Sequence, residues 1–429
     1  MTVRKRILSV SYGGGHTTMV LPVLQELRNT RSELDISVMA LSTGALTAKD
    51  AGFESLGFRD FLDEDIHKTA LEHGKRLAVD HHSDHTDILY EESVAYLGLN
   101  YLDLEVIHGE QGAARLFAER GRACFLPIST MARIFNTLKP DMLITTNSPR
   151  SELAARRIAR SHSIPSLLLT DLLGKGDFMT DMVVTHHCSA STTAFKNHQS
   201  HEFIQADHYH LTGNPAMDRS IVATSSMETA DWLSDHFPEL SYSTKKVLVA
   251  EQYGYLHKSE DHFVTFTPQQ IEENLERVIN ACKHNGAIAM VRPHPSLDIE
   301  IYAGICERSD GWAILADKVD LYPLLDTCGL IISNFSTIML DSLYRRRPVL
   351  VVNYSDSGNL LPLDKMAMAQ GVNIADEKGL SAAIERGLTD MTLLERHQTA
   401  FKKEFPELPC APKIAQIICQ ELDGLCNTP

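Results

Sequence analysis

Three polar loops, each placed directly after an apolar run, constrain this chain most. Ser9-Val10-Ser11-Tyr12-Gly13-Gly14-Gly15-His16-Thr17 follows Ile7-Leu8. In the second half, Arg292-Pro293-His294-Pro295 closes one apolar run, and Ser333-Asn334-Phe335-Ser336-Thr337 follows Ile331-Ile332. Each marks a place where a buried strand ends and a loop or helix begins. Open α/β sheets bind ligands at the carboxyl ends of their strands. Such sites in both halves predict two α/β sheet domains facing each other across a central cleft.

Length agrees, because 429 residues exceed what one core usually supports. No stretch reaches the ~18–20 apolar residues of a membrane span. The start, Met1-Thr2-Val3-Arg4-Lys5-Arg6, is basic, but a strand-like run follows it and not a signal-peptide core. Eight cysteines are scattered with no C-x-x-C pair, the pattern of reduced thiols in a cytosolic enzyme. A net charge of −16 argues against nucleic acid as a partner. Arg156-Arg157 and Arg345-Arg346-Arg347 depart from that average and read as solvated helix ends.

Apolar runs alternate with amphipathic stretches, which implies parallel sheets. In the first half, strands are expected at 6–11, 35–41, 140–147, 166–170 and 208–212. Helices are expected at 18–29, 127–138 and 151–161. The turn Gly213-Asn214-Pro215 ends this half. A connecting stretch at 216–243 precedes strands at 246–250, 286–291, 330–333 and 348–352. Thr267-Pro268 caps a helix over 267–283. Further helices are expected at 337–345, 392–405 and 414–425.

The loops carry the candidate chemistry. Gly13, Gly14 and Gly15 let the backbone turn tightly and approach a ligand, and the amides of the following helix suit an anion or a sugar hydroxyl. Neither G-x-G-x-x-G nor a P-loop is present, which lowers the odds of NAD or ATP use. Two prolines around His294 stiffen that loop and aim the imidazole. With Arg292 it suits a nucleotide phosphate. The hydroxyl-rich loop Ser333 to Thr337 suits the same phosphate, and Asp341 lies one turn later. Asp171, past Ser166–Thr170, is placed as a general base, with Glu110, Asp141 and Asp181 as rivals. His81, His82 and His85 lie in a polar segment that reads as a solvated loop before it reads as a metal site, and His186-His187 reads likewise. No metal site and no G-x-S-x-G is expected.

In this order the motifs resemble the two-domain glycosyltransferases of GT-B fold and the related UDP-N-acetylglucosamine 2-epimerases. The matching features are the glycine loop ending in His16, Thr212-Gly213-Asn214-Pro215, His294-Pro295, the Ser333–Thr337 loop, and Arg347-Pro348-Val349-Leu350. The second-half block is most similar to bacterial capsule and teichoic-acid enzymes. The resemblance implies a Rossmann-like acceptor domain at 1–215 with an insertion at about 47–122. It implies a connection at 216–243, a Rossmann-like donor domain at 244–390 and C-terminal helices at 391–429. The nucleotide would lie on Arg292, His294, Pro295, Ser333, Asn334, Ser336, Thr337 and Asp341, with Gly213 and Asn214. Gly13, Gly14 and Gly15 would face the acceptor, with Asp171 or His16 as the base.

The implied function is glycosyl transfer from a UDP-, CMP- or CDP-linked donor to a glycan or lipid-linked acceptor in bacterial surface polysaccharide synthesis. It would need no cofactor beyond the nucleotide-sugar co-substrate and no metal, in the cytoplasm or peripheral to the inner membrane face. The chain departs from the epimerases at Leu168–Leu172 and Ser336–Asp341, where they carry His-Val-Glu-Ala-Gly and a glutamate pair. An epimerase or hydrolase is the first alternative, and a non-catalytic nucleotide-binding protein is the second.

Overall fold

The chain forms two compact units, Met1–Asp218 with Pro406–Pro429, and Arg219–Phe405. The computed structural model describes residues 4–63, 67–82, 88–171, 173, 182–221, 225–251, 256–259, 262–264, 266–294, 297–354 and 361–424.

The first unit opens with β1 (Arg6–Tyr12) running directly into α1 (Gly13–Thr30). Next come β2 (Asp35–Leu41), α2 (Gly44–Asp50), α3 (Lys68–His81), α4 (Tyr90–Arg120) and α5 (Ile128–Leu138). The unit continues through β3 (Met142–Thr146), α6 (Ser151–Ser161), β4 (Ser166–Leu169), β5 (Met182–Ser189), α7 (Thr192–Ser200) and β6 (Ile204–Leu211). All six strands are parallel, in the order β2-β1-β3-β4-β5-β6. Parallel strands buried on both faces read as near-continuous apolar runs, which is why 6–11 and 140–147 stand out in the sequence. Their side chains alternate between two cores. Ile7, Ala40, Met142, Ile144 and Leu167 meet Val20, Leu24 and Leu27 of α1. Leu8, Val10, Met39 and Leu143 meet Ile134, Phe135, Ala155 and Ile158 of α5 and α6.

The glycine stretch differs from expectation. It forms the first turn of α1, so the helix starts at Gly13 and not near Thr18. Gly13 turns the chain with φ +80°, a conformation that side chains resist. The Gly14 amide is already taken by Thr43 Oγ1 at 3.1 Å. The unassigned 47–122 stretch contains most of α2, all of α3 and α4. The last two cross closely, since a Cβ on Gly98 would meet the Ala70 carbonyl oxygen at 1.9 Å. Gly109 (φ 70°, ψ 166°) interrupts α4.

The second unit carries α8 (Ser226–His236), β7 (Lys245–Glu251), a ribbon of β8 (Leu256–Ser259) and β9 (His262–Val264), α9 (Pro268–His284) and β10 (Ala287–Pro293). It continues with α10 (Ile299–Glu307), β11 (Ala313–Leu315), α11 (Leu321–Thr327), β12 (Leu330–Ser333), α12 (Ile338–Tyr344) and β13 (Val349–Asn353). It closes with β14 (Gln370–Asn373), α13 (Glu377–Thr389) and α14 (Met391–Glu404). Its main sheet is parallel, in the order β11-β10-β7-β12-β13-β14. Thr267 caps α9 through the Gln270 amide, and Gln270 returns the bond, as the Thr267-Pro268 pair predicts. The 216–243 stretch is more than a connection: Leu233, Phe237 and Leu240 pack with Leu248, Leu324 and Leu325. The chain ends in α15 (Ala411–Gly424), whose Ile414, Ile418 and Leu422 join the first unit's α1-side core.

Candidate functional site

The strand order of the first unit reverses between β1 and β3. Connections leave these neighbours toward opposite sides, which opens a crevice at their carboxyl ends. His16, in the first turn of α1, and Thr146, the last residue of β3, lie on its two sides. His16 Nδ1 is hydrogen-bonded to Thr146 Oγ1. Thr146 Oγ1 donates to Glu152 Oε2 at 2.7 Å, and the Thr146 amide donates to the same oxygen at 2.7 Å. Glu152 Oε1 accepts the Tyr12 amide at 2.9 Å and lies 3.9 Å from His16 Nδ1. The Glu152 side chain is fully buried, whereas that of His16 is 30% exposed. Glu152 belongs to the first turn of α6, where a carboxylate is favoured. One turn on, Arg156 donates to the Thr146 carbonyl at 2.7 Å, fixing the end of β3 from below.

Asp171, beyond β4, joins the same edge: Asn147 Nδ2 donates to its Oδ1 at 3.2 Å. The structure therefore places His16 and Asp171 beyond the strands on either side of β3, and adds Thr146, Asn147, Glu152 and Arg156, which sequence reasoning missed. Glu152 looks like an ordinary first-turn acid in Ser151-Glu152-Leu153, and nothing local says that it reaches back to β1 and β3. The rival Asp141 lies at the start of β3, binding the Arg6 amide at 2.8 Å and pairing with Lys5. Asp181 lies outside the described residues.

Gly213 and Asn214 belong to the first unit, where they build a turn. Gly213 has φ +87°, and a Cβ there would meet Cys410 Sγ at 2.4 Å. Asn214 Oδ1 accepts the Ala216 amide at 3.0 Å. Both shape the turn that follows β6, with Gly213 packed closely against Cys410.

In the second unit, β10 and β12 flank β7, so their ends lie about 10 Å apart by ordinary strand spacing. His294 follows β10 and is exposed, yet partial burial of its ring lowers its pKa from the usual histidine value. Pro295 lies outside the described residues. Arg292 Nη1 donates to the Val319 carbonyl at 2.8 Å and to Ala316 O at 3.4 Å. It braces the loop after β11. In the hydroxyl-rich loop, Ser333 Oγ donates to Ala250 O at 2.8 Å and Asn334 Nδ2 to Val352 O at 2.9 Å. These two join neighbouring strands. Ser336 Oγ accepts the Ile338 amide at 3.3 Å, and Thr337 is exposed. Asp341 faces inward: Oδ1 accepts Ser220 Oγ at 2.7 Å and the Tyr322 hydroxyl at 3.3 Å. Burial pushes its pKa up to about 6. A ribose hydroxyl would compete with partners already in place.

The arginines read as solvated helix ends divide. Arg156 is buried, and Arg345, its side chain 3% exposed, pairs with Asp326, whereas Arg346 is exposed beside Glu395. His186 and His187 are also buried, contrary to the solvated reading, and His186 bonds His210 and Glu421. His82 bonds Ser93, and His85 lies outside the described residues. Among the described residues no group of three or more His, Cys, Asp or Glu has metal-holding geometry, and no helix is long and apolar enough to cross a membrane.

Solved structures share the two-domain fold across the whole chain. The S. aureus MnaA–UDP co-structure aligns with a TM-score of 0.60 at 12% identity, covering 99% of each chain. The UDP-GlcNAc 2-epimerase of Neisseria meningitidis bound to UDP-GlcNAc aligns at 0.59 and 13%, covering 98% of this chain and 100% of that one. The glycosyltransferase SnogD of Streptomyces nogalater aligns at 0.58 and 13%, with the same coverage. These likenesses establish the GT-B fold. Comparison with curated proteins finds no match. The family model described as CDP-Glycerol:Poly(glycerophosphate) glycerophosphotransferase matches residues 180–409. That is more than half of the chain and contains both loops of the second unit. The chain therefore belongs to the CDP-glycerol:poly(glycerophosphate) glycerophosphotransferase family and is a GT-B-type transferase of surface-polymer synthesis.

Proposed function

We propose that this transferase moves glycerol phosphate from a cytidine-diphosphate donor to a hydroxyl of a surface polymer. The family match over 180–409 carries this reading, since it spans His294 and the Ser333–Thr337 loop. The second unit supplies the donor groups. His294, Ser336 and Thr337 donate hydrogen bonds to the diphosphate, and Ser333, Asn334 and Arg292 hold the backbone that presents them. The first unit supplies the base. His16 takes the proton of the acceptor hydroxyl, and Asp171, held by Asn147, orients that hydroxyl. The oxygen attacks the phosphorus bonded to glycerol, the bridging P–O bond breaks, and CMP leaves with the electron pair. Donors aimed at the departing phosphate stabilise it as charge develops.

No cofactor or bound metal takes part in this scheme, so EDTA leaves the rate unchanged. The acceptor is a glycan or lipid-linked polymer, met by a protein peripheral to the inner face of the cytoplasmic membrane. Calorimetry with CDP, CMP, UDP, GDP and ADP tests the donor side. The reading expects cytidine nucleotides to bind selectively and His294→Ala to weaken them about tenfold or more, the loss of one charge-assisted hydrogen bond. Selective UDP binding would point instead to a sugar donor. Conversion of a UDP-sugar without any acceptor would establish an epimerase.

A further inference from the structure

We infer that Glu152, acting through the Thr146 hydroxyl, sets the tautomer of His16 and so selects Nε2 as the atom that takes the acceptor's proton. The inference rests on His16 being the base, and it adds the residues that make one ring nitrogen the basic one. A threonine hydroxyl has one hydrogen and two lone pairs. Thr146 gives its hydrogen to Glu152 Oε2 at 2.7 Å. Toward His16 it then offers only a lone pair, so the Nδ1···Oγ1 contact needs the hydrogen on Nδ1. A neutral imidazole with Nδ1–H carries its lone pair on Nε2.

The direction of the chain is fixed at its buried end. Glu152 is fully buried, and its two oxygens accept three hydrogens, from the Tyr12 amide, the Thr146 amide and the Thr146 hydroxyl. Two of these donors are backbone groups at the ends of β1 and β3, so the carboxylate is tied to the two strands that define the crevice. Arg156, holding the Thr146 carbonyl at 2.7 Å, fixes the same strand end from below. When His16 takes a proton, Glu152 Oε1 lies 3.9 Å from its Nδ1, and the new positive charge faces a buried negative one. Glu152 and Thr146 are positioning residues, since they act through the imidazole.

The test uses the full chain with ¹⁵N-labelled histidine. The His16 signals are identified by their loss in His16→Gln, and two-bond couplings show which ring nitrogen is protonated. The inference expects Nδ1–H in the wild type and in Thr146→Ser, which keeps the hydroxyl. It expects Nδ1–H to lose its dominance in Thr146→Val. In Glu152→Ala no carboxylate holds the Thr146 hydrogen, so the hydroxyl turns it toward His16 and the proton moves to Nε2. Turnover with CDP-glycerol should fall about 10²- to 10⁴-fold in Glu152→Ala with donor KM kept, and Thr146→Ser should stay near wild type. Nε2–H in the folded wild type, or an unchanged tautomer in Thr146→Val, would overturn the inference. Full turnover in His16→Ala would instead remove His16 as base, and the tautomer readings would still decide whether Glu152 controls the ring.

Discussion

Asp341 and His16 are both polar residues beside strand ends, and their surroundings send them to different tasks. Asp341 is buried against Ser220 and Tyr322, with a folded pKa of about 6 against 3.8 unperturbed. Below about pH 4 both folded and unfolded forms hold the proton. Between about 4 and 6 the unfolded chain loses it first, so stability falls as pH rises, by on the order of 2 kcal/mol. Above 6 the loss is constant. Asp341→Asn should remove this slope and raise the second unit's melting temperature at pH 7.5 more than at pH 4, measured by scanning calorimetry. CDP affinity should stay unchanged in that variant. A tenfold loss of affinity would place Asp341 in the donor site. His16→Ala should lower turnover about 10²- to 10⁴-fold with CDP affinity kept, read by steady-state kinetics beside calorimetry.

At the scale of elements, the strands of both sheets were legible because parallel strands buried on both faces make short apolar runs, as in Met142-Leu143-Ile144 and Leu330-Ile331-Ile332. The α3–α4 pair was not. Its long helix is interrupted at Gly109, and its contacts depend on two glycines with no local signature. A Cβ on Gly98 would meet the Ala70 carbonyl oxygen at 1.9 Å, and one on Gly74 would meet the Val94 carbonyl oxygen at 2.1 Å. Backbone cannot yield as a flexible side chain does, so Gly98→Ala should cost about 1–3 kcal/mol, seen as a lower urea midpoint. No loss would mean that the helices cross less tightly. At the candidate site, His16 and Asp171 were readable because each follows an apolar run. Glu152 was not, since its role comes from contacts with strands far away in sequence. The bracing of the loop after β11 by Arg292 was not legible either, because a strand-end arginine beside a histidine gives no local sign of which carbonyls it reaches.

For the whole molecule, the returning C-terminal segment matters most. The chain leaves its first unit, builds the second, and comes back to lay α15 on α1. Asp218 binds the amides of Cys410 and Ala411 at 2.6 and 2.8 Å, anchoring that return. Ile414, Ile418 and Leu422 are completely buried. At about 1.5–3 kcal/mol each, they supply much of the ~5–15 kcal/mol that holds a domain together. Deleting 406–429 should therefore abolish the first unit's calorimetric transition and leave the second unit's in place. Two intact transitions would show that α15 contributes little.

The central claim is transfer of a donor group to an acceptor hydroxyl, and the most direct test is CMP release from CDP-glycerol with and without a poly(glycerophosphate) primer. The account predicts release that depends on the primer, with equal growth of the polymer, and its loss in His16→Ala while CDP still binds. CDP-glycerol left intact in the presence of primer, with a UDP-sugar converted in its absence, would contradict it.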